Sequence, residues 1–167
     1  VIRTAGLKDA NLKYEGPARV FDSKVEGRDA ILQRDYNPEE VIVIRYEGPK
    51  GGPGMPEMVS EAWMLSTSKA KTFLVTDARY SGLGTTGTCI GLVTPEAFDG
   101  GPIAIVRNGD YIRIDVPKKR LDLVLSEGEI RKRLSEWRPR EPRIRTGYLA
   151  RYSRDVTPAK IGAYLPP

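Results

Sequence analysis

The sequence predicts an α/β domain built on a mixed, barrel-like sheet with flanking helices. Three observations predict it. Two continuous apolar runs, Val41-Ile42-Val43-Ile44 and Phe73-Leu74-Val75, are bounded by turn chemistry, as in strands buried on both faces. Helical signals fall between them, and alternating strands follow in the second half. The length of 167 residues suits one domain with a real core. Hydrophobic residues at 40% and charged residues at 29% fit a soluble globular chain.

Taken in order, Ala18-Arg19-Val20-Phe21 reads as a short strand. Asp22-Ser23 caps a helix over Val25 to Arg34, and Asp35-Tyr36-Asn37-Pro38 is a turn. A buried strand runs from Val41 to Tyr46. The segment from Tyr46 to Glu57 then holds four glycines and three prolines in twelve residues. Proline fixes φ and glycine permits values other residues avoid, so this is a loop of one specified shape. Pro56 suits a first helical turn, which places Glu57 inside a helix running to about Leu65 and at the rim of the loop, ready to face a cation or a partner.

Thr72 to Thr76 forms the second buried strand, followed by a hydroxyl-rich, glycine-rich loop from Asp77 to Gly87 and a strand Cys89 to Val93. Pro95-Glu96-Ala97 reads as one helical turn. Ile103 to Arg107 and Tyr111 to Val116 are expected to form a hairpin around Asn108-Gly109-Asp110. Leu121 to Leu125 alternates as a further strand. Ser126 and Glu129 form a capping box for a helix to about Trp137. Residues 138–167, rich in arginine and proline, read as a basic extended arm within a single domain of residues 1–167.

Several function classes are excluded or constrained. No apolar run approaches the roughly 20 residues of a membrane span, and no signal peptide is visible, so a cytoplasmic protein is expected. The net charge of +5 and pI near 9.3 come from the C-terminal third. No nucleic-acid motif accompanies that charge, so a solvated or anion-facing surface is expected. The chain has no histidine and one cysteine, Cys89. It therefore lacks the usual triad base and cannot hold an iron–sulfur cluster or structural zinc by itself. The second loop does not fit a phosphate-binding P-loop or a dinucleotide fingerprint. Ser81 is its distinctive residue: an ST-turn hydroxyl, or a catalytic serine that needs activation. Both loops leave the C-terminal ends of buried strands, which would place Glu57 and Ser81 in one cleft.

At these residues the chain resembles a known family. Gly16-Pro17-Ala18-Arg19-Val20-Phe21, the string from Val43 to Met58, Thr76-Asp77-Ala78-Arg79-Tyr80-Ser81-Gly82, Cys89-Ile90-Gly91, Thr94-Pro95-Glu96-Ala97, Gly100 to Ala104 and Gly147 to Tyr152 are similar to the C-terminal domain of the dihydroxy-acid and phosphogluconate dehydratases. The resemblance implies a hydro-lyase that converts a 2,3-dihydroxy acid to a 2-keto acid, most readily in branched-chain amino-acid biosynthesis. It implies an iron–sulfur cluster and Mg2+, with the cluster ligands in a larger N-terminal domain, and a homodimer when full length. The smaller domain would swivel over that partner, as a similar one does in aconitase. Glu57 matches the magnesium ligand and Ser81 the serine proposed as base. Family members reach the cysteine one residue sooner, so either Thr85 or Thr86 is the threonine near substrate. Leu92 stands where the family commonly has histidine, and Cys89 is expected to be buried. The arginine-rich tail would wrap the companion domain or a second protomer. The chain is expected to be an excised domain, inactive alone. The alternatives are a separately encoded small subunit, a sugar-acid dehydratase domain, or a non-catalytic module that binds a small acid.

Overall fold

The computed structural model describes residues 1–2, 12–68, 72–81 and 89–167. Strand β1 spans Lys13–Phe21, helix α1 Lys24–Gln33, β2 Val41–Ile44, α2 Val59–Thr67, β3 Phe73–Thr76 and β4 Cys89–Ile90. They are followed by β5 Tyr111–Asp115, β6 Arg120–Leu123, α3 Glu127–Glu136 and α4 Gly147–Asp155. Among the described residues the strands form one six-stranded sheet, ordered β4-β3-β2-β1-β5-β6. β1 to β4 run parallel; β5 and β6 are antiparallel additions at one side. β1 joins the two parts. Its first half, Lys13 to Pro17, pairs with β5, and its second half, Ala18 to Phe21, pairs with β2 on the other edge. That staggered hand-over curls the sheet into a half-barrel.

Alternate residues of β2 and β3 supply two cores. Val41, Val43, Phe73 and Val75 face one side with Tyr46, Ile90, Ile103, Ile112 and Ile114. Ile42, Ile44 and Leu74 face the other, packed with Ile31 of α1, Met58 just before α2, and Ala62 and Leu65 of α2. Burial on both faces is why these strands carry no polar alternation. Cys89 belongs to the second core and is fully buried, as expected.

Two expected elements differ. The hairpin is not formed by Ile103 to Arg107: Pro102–Ile105 is a 3-10 turn, and Tyr111–Asp115 instead pairs with β1 and β6. The cause lies in Arg45, whose guanidinium Nη1 donates to the carbonyls of Ile103, Ala104 and Val106 at 2.9, 2.7 and 2.8 Å. Those carbonyls need no β partner, so the apolar segment folds onto the core as a turn. Helix α2 also begins later than expected, at Val59. Glu57 forms a parallel bridge with Arg79, and Met58 N–H donates to the Arg79 carbonyl at 3.2 Å, which holds the preceding backbone extended.

Candidate active site

The position of the site follows from the register of β2 and β3. Ile44 lies beside Thr76 in parallel strands, so the chain leaves both at the same sheet end. The glycine-proline loop after β2 and the loop after β3 therefore emerge side by side. Tyr46 (φ 63°) and Met55 (φ 51°) hold left-handed backbone conformations at either end of the first loop. Such residues cost energy and persist only where their surroundings fix them.

Two buried carboxylates hold the first part of the loop, Tyr46 included. Asp77 is fully buried and accepts backbone N–H bonds from Tyr46 at 3.1 Å, Glu47 at 3.0 Å and Ala97 at 2.9 Å. Burial pushes its pKa above the ordinary range, while the three N–H groups oppose that shift. Glu96, 3% exposed, accepts from Lys50 N–H at 3.0 Å and Gly51 N–H at 2.9 Å. Burial raises its pKa to about 7 against the pull of those donors. Glycine makes room for a carboxylate at two positions of the loop: a Cβ on Gly48 would lie 2.6 Å from Glu96 Oε2, and one on Gly52 would lie 2.5 Å from Glu47 Oε2. The loop is thus wrapped around carboxylates that its own backbone binds.

Glu57 and Ser81 are brought together. Ser81 N–H donates to Glu57 Oε1 at 2.9 Å, and Arg79 Nε lies 3.9 Å from Glu57 Oε2. Glu57 is half-buried and Ser81 exposed. Thr85 and Thr86 lie outside the described residues.

The donor set bears on the groups that the family resemblance implies. Glu57 offers a hard carboxylate with one oxygen oriented by an amide, which fits a single ligand to Mg2+. Among the described residues no group of three His, Cys, Asp or Glu side chains could hold a metal ion. Cys89 does not fit an iron–sulfur cluster: it is fully buried, and burial pushes its thiol far above the ordinary value.

Sequence reasoning missed the supports. Asp77, Glu96, Lys24 and Glu47 look in sequence like generic charges. The basic arm has its own contacts within the domain. Part of it packs on the chain's own loop. Arg140 stacks 4.0 Å above the Tyr46 ring and Arg143 Nη1 donates to Glu47 Oε1 at 2.8 Å. From α4, Ser153 Oγ donates to the Lys50 carbonyl at 2.5 Å.

Fold and geometry together define a domain that presents one carboxylate and one serine on neighbouring loops at one end of its sheet. The chain belongs to the dihydroxy-acid/6-phosphogluconate dehydratase C-terminal family, whose model matches residues 1–163. It is 48% identical over 167 residues to a dihydroxy-acid dehydratase of Thermodesulfovibrio yellowstonii, covering 99% of this chain and 30% of that protein. Similar matches are to dihydroxy-acid dehydratases of Caldanaerobacter subterraneus subsp. tengcongensis (47% over 165 residues, 98% of this chain) and Methanothrix thermoacetophila (47% over 167 residues, 99% of this chain), again covering 30% of each relative. The chain thus spans under a third of the length of these curated relatives.

Proposed function

We propose that the chain is the C-terminal domain of a hydro-lyase that dehydrates a 2,3-dihydroxy acid to a 2-keto acid, acting in branched-chain amino-acid biosynthesis. The site is shared with an N-terminal domain that carries the iron–sulfur cluster. The observation that supports this most is the direct contact of the Glu57 carboxylate with the Ser81 amide at 2.9 Å. Dehydration of such an acid begins with removal of a weakly acidic C2 proton and ends with loss of the C3 hydroxyl. When bound, Mg2+ would stabilise the charge that develops on proton removal, and the cluster would act as Lewis acid toward the departing hydroxyl.

This chain's share is positioning and proton transfer. Glu57 would hold one metal coordination position, with its other oxygen kept in orientation by the Ser81 amide. Ser81 Oγ would take the C2 proton, which requires its pKa to fall well below that of an ordinary hydroxyl. The glycines let the loop backbone approach the substrate closely. The full-length enzyme is proposed to be a cytoplasmic homodimer.

The test is Ser81→Ala in the full-length dehydratase, assayed for 2-keto-acid formation. Loss of a positioned base is expected to lower kcat by roughly 10²–10⁴-fold. A variant with the wild-type rate would refute the base assignment. An inactive wild-type holoenzyme that still binds a dihydroxy acid would favour a non-catalytic binding module.

A further inference from the structure

Lys24 touches both ends of the glycine-proline loop. Its backbone N–H, in the first turn of α1, donates to Glu47 Oε1 at 2.6 Å. Its ammonium donates to the Glu57 backbone carbonyl at 2.5 Å. The same ammonium lies 3.8 Å from Oε2 of Glu61, whose side chain is 0% exposed. Glu61 Oε2 also accepts from Ser60 Oγ at 2.8 Å, and Glu61 Oε1 is buried without a hydrogen-bond partner among the described residues.

The arrangement is specific in what it can do. A buried carboxylate without a nearby cation is costly, so Glu61 holds the ammonium in place. The held ammonium in turn fixes a carbonyl, not a side chain. That carbonyl belongs to the residue whose carboxylate meets Ser81 N–H, so its backbone is pinned from α1 on one side and from Arg79 on the other. The first end of the loop is tied to the same residue through Glu47. One residue therefore touches both ends of the loop, through its backbone N–H at Glu47 and through its ammonium at Glu57.

We propose that Lys24, held by Glu61, is the positioning residue for Glu57, setting the direction in which its carboxylate meets the metal. The inference rests on the reading of Glu57 as a magnesium ligand. Groups that orient a ligand from behind commonly change metal affinity by roughly 10- to 100-fold when removed. Lys24→Met keeps the length of the stem and removes the charge.

The test uses the full-length dehydratase, with wild type, Lys24→Met, Lys24→Arg, Lys24→Met/Glu61→Gln and Glu57→Gln. Two readouts are taken: Mg2+ affinity by titration, and hydrogen exchange in peptides covering residues 46–58. Lys24→Met is expected to weaken Mg2+ binding about tenfold and to speed exchange in those peptides, with exchange in β2 and β3 unchanged. Lys24→Arg should restore both. Should Lys24→Met alone fail to fold, the double variant removes the uncompensated Glu61 charge and is expected to show the same loss of affinity and protection. If Glu57→Gln weakens Mg2+ binding while the Lys24 variants leave affinity and loop exchange at wild-type values, the positioning role is wrong. If Glu57→Gln leaves Mg2+ binding unchanged, the metal-ligand reading fails, and the proposed effect on the metal fails with it.

Discussion

Replacing Asp77 should loosen the whole candidate site, and the size of the effect follows from its three acceptor bonds. Asp77 Oδ2 takes the N–H groups of Tyr46 and Ala97, while Oδ1 takes that of Glu47. In Asp77→Ala all three N–H groups lose their acceptor in a fully buried setting. Each buried orphan donor costs about 1–3 kcal/mol. Water entering the vacated space offsets part of this, so the low end of the sum applies, about 3 kcal/mol. In Asp77→Asn the remaining oxygen can still serve Tyr46 and Ala97, and only Glu47 N–H faces an amide nitrogen. The neutral amide also escapes the desolvation that pushes the Asp77 pKa up. Asn should therefore cost about 1 kcal/mol, the value of one hydrogen bond. Thermal unfolding of this chain is the assay: for a domain of this size the Ala variant should melt about 10 °C lower and the Asn variant a few degrees lower. An Ala variant within 1 °C of wild type, or an Asn variant as damaged as Ala, would refute the reasoning.

Two other predictions concern the same loop. Glu96 has its folded pKa raised by burial to about 7 from an ordinary 4.5. The folded state then binds its proton more tightly than the unfolded state, so this group makes stability fall as pH rises between those values. The drop is about 3 kcal/mol at 1.36 kcal/mol per pKa unit. Glu96→Gln should flatten that slope in denaturant titrations at pH 5 and pH 8; an unchanged slope would contradict it. Gly48→Ala places a Cβ 2.6 Å from Glu96 Oε2, so it should displace the carboxylate from Lys50 and Gly51 N–H. The expected cost is about 2 kcal/mol, read by chemical denaturation, and a neutral substitution would show that the close approach is not required.

Much of the fold was legible because burial leaves a plain mark on a strand. Val41 to Ile44 and Phe73 to Val75 are apolar without alternation, and both proved to be central strands. Ser23 and Ser126 announced α1 and α3, and each side chain does accept the N–H three residues on. The hairpin misreading around Asn108-Gly109 has one cause: no local pattern reveals that Arg45, almost sixty residues earlier, satisfies the carbonyls of Ile103, Ala104 and Val106. Glu57 and Ser81 could be named from motif resemblance, and their adjacency follows once β2 and β3 are known to be neighbours. The supports could not be named, because Lys24, Asp77 and Glu96 act through backbone groups whose positions exist only in the folded chain.

The central claim is that the two loops form one part of a metal-dependent site, with Glu57 as a ligand and Ser81 beside it. A crystal structure of the full-length dehydratase with Mg2+ tests it most directly. The account predicts a Glu57 carboxylate oxygen about 2.1 Å from the ion, with the Ser81 amide still bonded to the other oxygen. A bound ion with Glu57 outside its coordination shell, and its carboxylate turned to Arg79 alone, would contradict it.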